Sequence, residues 1–141
     1  VLKSPYGPVR CGTGNAVIIG PEKYGKLEAP CVLLTVGPLS PTNLEDALED
    51  DTDSLHYIKN MLRSCYRSSL VLAKHAELQA LALSLLTTRK TGQAYEQTLR
   101  VGLQTLVEEV KFSHLRDLHI VASSAKEASI VIAMMADMGH R

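Results

Sequence analysis

Two short runs, Thr87-Thr88-Arg89-Lys90-Thr91-Gly92 and Ser123-Ser124, bring hydroxyls, positive charge and a glycine together in a pattern suited to holding an anion. The first run follows the apolar stretch 81–86 and is followed at once by a helical pattern. Loop amides and a helix N-terminus both carry partial positive charge, so a strand–loop–helix junction is how α/β proteins build phosphate sites. The second run closes the last strand-like segment and opens the last helix. In a parallel sheet the carboxyl ends of the strands share one edge, which would place both runs along one crevice. Thr87, Thr88, Thr91, Ser123 and Ser124 offer hydroxyls there, and Arg89 and Lys90 offer charge. The competing reading is that all of them are turn and capping residues.

Other candidate chemistry is weaker. Cys11-Gly12-Thr13-Gly14 has the glycines of a dinucleotide fingerprint, but no strand precedes it and a strand rather than a helix follows. The histidines (His56, His75, His114, His119, His140) are scattered, and no serine or cysteine is spaced to complete a triad with His56 and Asp53. Glu45, Asp46, Glu49, Asp50, Asp51 and Asp53 lack the spacing of a calcium loop and read as a solvated acidic segment before a helix. The three cysteines, Cys11, Cys31 and Cys65, show no C-x-x-C spacing and read as reduced, buried thiols. There is no P-loop, G-x-S-x-G or H-E-x-x-H. No catalytic residue, metal ligand or cofactor is therefore assigned.

Composition sets the frame for these residues. A chain of 141 residues is the size of one domain and long enough to bury a core without disulfides or metal. Lys and Arg (15) balance Asp and Glu (15), so no global charge draws the chain to nucleic acid or an anionic membrane. No apolar run reaches the roughly 20 residues that a membrane helix needs, and no signal peptide is visible. These features lead us to expect an intracellular protein, cytoplasmic or nuclear, with an organelle also open.

The elements follow from periodicity and punctuation. The first dozen residues, rich in Pro and Gly, read as loop. Strands are expected at 16–19, 31–36, 79–86 and 118–122. Helices are expected at 54–76, with Leu55, Ile58, Leu62, Tyr66, Leu70 and Ala73 on one stripe; at 94–111, with Tyr95, Leu99, Leu103, Leu106 and Val110; and at 125–138. Ser124-Ala-Lys-Glu127 is a capping-box signature for the last of these. Residues 130–136 are apolar on nearly every side, which suits deep burial or a shared face with a partner chain. The order β-β-α-β-α-β-α gives an α/β fold with β-α-β crossovers.

Several segments, in order, resemble the macro domain, the fold associated with ADP-ribose recognition. Thr13-Gly14-Asn15-Ala16-Val17-Ile18 is similar to its "TGeAvit" strand opening, and Ala29-Pro30 through Gly37-Pro38 to "LPaxVIHTVGP". Leu62, Tyr66, Leu70 and Ala73 fall on "LxxxYrnsLxxA", and residues 80–88 align on "SIAFPxIST". The resemblance covers about residues 9 to 137. It implies a three-layer α/β/α domain with a mixed or mostly parallel sheet, spanning 1–141, with a loop at 1–14 and an acidic loop at 39–53.

In the family's phosphate loop, "STGxxGxP", the serine falls on Thr87, the second threonine on Thr88 and the second glycine on Gly92. The first glycine is Arg89 here, and the proline is Ala94. A Cβ at position 89 disfavours positive φ and close approach of the amides, whereas a guanidinium grips phosphate bidentately from the side. The family's G-D pair, its "NAAN" strand end and its glycine-rich loop have no counterpart, so the chain reads as an N-terminally reduced domain. The missing strand would sit between 31–36 and 80–86, so those two strands pair directly or another segment or chain fills the gap.

The expected function is a divergent binding or interaction module for ADP-ribose or another phosphate-bearing nucleotide, bound weakly through Thr87–Gly92 with Ser123 and Ser124. Two alternatives stand beside it. One is a structural subunit of a larger assembly, meeting a protein partner through helix 125–138 or the sheet gap. The other is an ADP-ribosyl hydrolase, if a missing N-terminal segment is supplied.

Overall fold

The computed structural model describes residues 2–4, 7–9, 11–38, 52–86 and 92–139, with side chains described over 11–38, 55–86 and 95–139. The elements run β1 (Leu2–Ser4), β2 (Gly7–Val9), β3 (Ala16–Ile19), β4 (Val32–Thr35), α1 (Thr52–His75), β5 (Ala80–Ser84), α2 (Gly92–Val110), β6 (Asp117–Val121) and α3 (Ala125–Asp137). The fold is α/β. Elements expected from periodicity are present with ends that match or shift by at most two residues, within the usual ambiguity of element boundaries. One expectation is corrected. The stretch expected to be loop carries a short antiparallel pair, β1 with β2, in which Leu2 faces Val9 and Ser4 faces Gly7. The acidic segment falls largely on 39–51, outside the described residues; Asp53 lies in the first turn of α1.

The sheet is mixed. β3 and β4 are antiparallel, with Ala16 opposite Thr35 and Ile19 opposite Val32. β5 and β6 are parallel, with Ala80 opposite Asp117 and Ser84 opposite Val121, joined by a crossover through α2. No ladder joins these two pairs. β4 and β5 do not pair, and an apolar cavity of about 510 Å³ separates them, lined by Val32, Leu33, Leu34, Ala82, Leu83 and Tyr66 among others. Of the two arrangements expected for these strands, direct pairing is excluded.

Alternation on β5 and β6 sets which face is covered. Leu81, Leu83, Leu118 and Ile120 pack against one core built by all three helices, while Ala80, Ala82, Ser84, Asp117, His119 and Val121 are exposed among the described residues. The core centres on Leu62 of α1 with Leu99, Leu103 and Leu106 of α2, each at most 1% exposed. Burying an aliphatic side chain of this size stabilises by about 1.5–3 kcal/mol. These residues alone therefore explain why α1 and α2 form the main helix pair. Arg67 and Glu109 bridge the same pair at 2.8 Å in solvent, where an ion pair contributes about 0–1 kcal/mol.

Local chemistry ends and joins the elements. α1 closes through Glu77, at φ 56° in the left-handed region, with Leu78 N–H donating to Ala73 O. The Cys11–Gly14 stretch proves to be the lead-in to β3, docked on α1. Ser64 and Ser68 both donate to Gly14 O, at 2.8 and 3.0 Å, and Gly14 N–H donates to Val36 O. At φ 80° Gly14 has no Cβ to clash with Ser64, which explains the glycine without any nucleotide. Cys65 is buried, whereas Cys11 and Cys31 are half-buried rather than fully enclosed. α3 buries Val131 and Met134 but leaves Ile132 68% exposed. No described helix is long and apolar enough to cross a membrane.

Candidate functional site

The parallel register of β5 and β6 ends both strands at one sheet edge. β5 ends at Ser84 opposite Val121, the last residue of β6. The chain leaving β5 reaches Leu86 and returns as α2 at Gly92, and the chain leaving β6 passes Ser123 and Ser124 into α3. Thr87, Thr88, Arg89, Lys90 and Thr91 lie outside the described residues. Gly92 is the first residue of α2. Ser123 and Ser124 are exposed at the start of α3.

Tyr66 anchors the β5 exit. Its ring lies in the core at 3% exposure, and its Oη accepts the Leu86 N–H at 2.7 Å. Burial drives the Tyr66 phenol far up, and the hydrogen bond from Leu86 opposes this in part. The phenol is thus neutral and caps the last backbone donor before residue 87. Tyr66 reaches this position because Gly102 of α2 leaves room for its hydroxyl.

The β6–α3 junction is organised by Glu127. Ser124, extended at φ −155°, caps α3 by accepting the Glu127 N–H at 3.1 Å. That is half of the expected capping box. The glutamate does not return to the Ser124 amide; its carboxylate takes the Ser123 hydroxyl at 2.8 Å and the Tyr95 hydroxyl at 2.7 Å. Tyr95 belongs to the first turn of α2, so the second bond crosses between helices and is stronger for joining a neutral donor to a charged acceptor. Burial pushes the Glu127 carboxyl up, but the hydrogen bonds from Tyr95 and from the Ser123 hydroxyl and amide outweigh it and hold it below the ordinary value. Burial, then the bond to Glu127 and its charge, push Tyr95 up to about 12. At neutral pH the pair is a carboxylate and a phenol.

The two helix N-termini at this edge therefore differ. α3 carries Glu127 in its first turn, which compensates the positive end of the helix from within. α2 has no acidic residue of its own in its first turn. The described histidines, His56, His75, His114 and His119, are all exposed and apart, and no group of metal-ligating side chains forms among the described residues. Sequence reasoning placed Glu127 as a cap and Tyr95 as a core residue. The Ser-x-x-Glu signature located the glutamate, but nothing in the spacing shows that its carboxylate passes the cap to meet another helix.

Comparison with known proteins agrees with this architecture. No protein-family model matches the chain. A macro domain-containing protein of Caldanaerobacter subterraneus is 27% identical over 120 residues, covering 85% of this chain and 61% of the relative. Among solved structures, an Oceanobacillus iheyensis macrodomain variant with ADP-ribose superposes with a TM-score of 0.69 at 22% identity, over 90% of this chain and 61% of that one. The same organism's macrodomain with ADP gives 0.68 at 19% identity, over 90% of this chain and 60% of that one. The macro domain of ganglioside-induced differentiation-associated protein 2 gives 0.68 at 21% identity, over 89% and 56%. The chain has the macro-domain fold. It spans about 61% of the length of the curated relative it matches.

Proposed function

We propose that this chain is a binding module for ADP-ribose or another phosphate-bearing nucleotide, with the phosphate held at the N-terminus of α2 by Gly92 and by Thr87, Thr88, Arg89, Lys90 and Thr91. Ser123 and Ser124 border the same edge. The observation that carries the reading is the pairing of a parallel β5–β6 edge with an α2 N-terminus free of acidic residues, in a fold whose solved relatives include forms with ADP-ribose and ADP. The reading is of binding only, and no residue is assigned to catalysis. Isothermal titration with ADP-ribose is expected to give a saturable 1:1 isotherm with Kd at or below about 1 mM, equivalent to about −4 kcal/mol. Arg89→Ala is expected to weaken it at least fivefold. Absence of heat at millimolar ligand would end this reading.

A second reading, a structural subunit of a larger assembly, is favoured by the open cavity between β4 and β5 and by exposed Ile132 on α3. Strand edges with unpaired ladder groups are templates for another strand. Light scattering on the eluting protein is expected to show more than one chain per particle if this reading holds, and a monodisperse monomer argues against it.

A further inference from the structure

The cavity between β4 and β5 has walls of strand backbone, and the hydrogen bonds around each strand show which way that backbone points. Along a strand, the N–H and C=O of one residue face one side and those of the next face the other. Gln79 O accepts from the Arg116 and Asp117 N–H groups, so positions 79, 81 and 83 turn to β6. Ala80, Ala82 and Ser84 therefore turn to the cavity, which they line. On β4, Pro30 O accepts from Glu22 N–H and Val36 O from Gly14 N–H, so the even positions turn to the β3 side. Leu33 and Thr35 therefore turn to the cavity from the opposite wall. Leu86 N–H continues the β5 row and is held by Tyr66 Oη. The main-chain groups of Leu33, Thr35, Ala80, Ala82 and Ser84 have no partner among the described residues.

Two rows of unpaired ladder groups thus face each other across an apolar space. No Asp, Glu, Lys, Arg or His is among the described residues that line it. An apolar small molecule suits the side chains but not the backbone, because it displaces the water that serves those groups and leaves them unpaired, which is costly. A strand suits both. β4 has four residues and β5 five, so a strand of that length spans the walls. The two faces differ as well. Leu81 and Leu83 pack on the core, whereas Ala82 and Ser84 are exposed. Apolar side chains on the core side and polar ones on the open side therefore match the neighbours on β5.

We propose that this cavity binds an extended, uncharged segment of a separate protein, apolar at alternate residues, which enters as a strand and pairs with β4 and β5 at once. Strand addition takes its affinity from main-chain bonds and its selectivity from alternate side chains. The inference rests on the assembly reading above, to which it gives a partner chemistry, and makes no use of nucleotide binding.

The probe is a peptide of alternating valine and threonine about seven residues long, enough to overhang β5 at each end. It carries a lysine beyond each end for solubility, and both termini are blocked. Titration is expected to saturate at one peptide per chain. With peptide at about ten times its Kd, amide exchange at Leu33, Thr35, Ala82 and Ser84 is expected to slow about tenfold. Leu81 and Leu83, whose amides already face β6, are expected to keep their rates. Methyl groups on the valine nitrogens remove the donors of one peptide edge, and methyl groups on the threonine nitrogens remove those of the other. Each methylated peptide is expected to bind at least about tenfold more weakly. No binding of the unmodified peptide at millimolar concentration, or full affinity in either methylated form, overturns the proposal. Slow exchange at the four amides in the chain alone overturns it by placing the chain's own residues in the cavity. Slowing that grows with protein concentration overturns it by placing a second copy there. A multimeric chain that ignores the peptide keeps the assembly reading and rejects this one. A monomer that takes up the peptide with the four-amide pattern rejects self-assembly and keeps it.

Discussion

Tyr66→Ala is expected to destabilise the chain by about 3–5 kcal/mol, the range for truncating a fully buried aromatic side chain. Two losses combine. The ring leaves a cavity where α1, α2 and β5 meet, since Tyr66 sits in one cluster with Leu62, Leu85, Leu99 and Leu103. The Leu86 N–H, held by the phenol at 2.7 Å, loses its acceptor as well. Tyr66→Phe separates the terms. It keeps the ring and removes only the acceptor, so its expected cost is about 1–3 kcal/mol, the penalty for an unsatisfied buried donor, toward the lower end because the site is only partly buried. Chemical denaturation gives both values, and amide exchange at Leu86 gives the local effect. If Leu86 exchanges no faster in Tyr66→Phe, Tyr66 is a packing residue and does not hold the β5 exit. If it does exchange faster, ADP-ribose affinity is expected to fall in the Phe variant although the core is intact, because the backbone running into residue 87 has lost its fixed end.

What the sequence disclosed, and what it hid, divides along the range of the interactions. The helices were legible because stripes such as Leu55, Ile58, Leu62, Tyr66 and Leu70 report a local period, and the core uses most of them as expected. The parallel β5–α2–β6 unit followed from element order and crossover handedness, which are also chain-local rules. The short β1–β2 pair was hidden because Pro5, Gly7 and Pro8 argue for loop. Three-residue strands carry too little alternation to answer that signal. In the candidate site, Ser123, Ser124 and Gly92 were found as punctuation at element ends. Glu127 was found only for its cap. The bond from Tyr95 to Glu127 joins positions 32 residues apart, and the bond from Leu86 to Tyr66 joins positions 20 apart. Neither is encoded in spacing. Both depend on the rotation of α2 against α1 and α3, which packing alone decides.

Gly102 shows how that rotation is fixed, and Gly102→Ala is expected to destabilise the chain although helix propensity says the opposite. In the interior of an unconstrained helix, alanine is favoured over glycine by about 0.5–1 kcal/mol. At position 102 the added Cβ would stand 2.7 Å from Tyr66 Oη, 2.9 Å from Cζ and 3.1 Å from Cε2. The first two separations are closer than real Cβ atoms come, so something must move. The hydroxyl end of a surface tyrosine swings away at little cost. Tyr66 does not have that freedom, because its ring is buried and its Oη is bonded to Leu86. α2 must tilt or the Leu86 contact must lengthen, and overpacking of this kind costs about 1–3 kcal/mol. The net expectation is a loss of up to about 2.5 kcal/mol, after the propensity gain is set against the overpacking penalty. The sign is the decisive quantity. A double-mutant cycle with Tyr66→Phe sharpens it, since removing Oη relieves the closest contact and frees the ring from Leu86. The Gly102→Ala penalty is then expected to shrink, with a coupling of about 0.5–3 kcal/mol as found for residues in contact. If Gly102→Ala raises stability in the wild-type background, Tyr66 has room to turn aside, and the chain leaving β5 is positioned by something other than this phenol. If it lowers stability and the cycle couples, one glycine in α2 sets the place of one tyrosine in α1. That tyrosine in turn sets where the backbone enters the proposed phosphate edge.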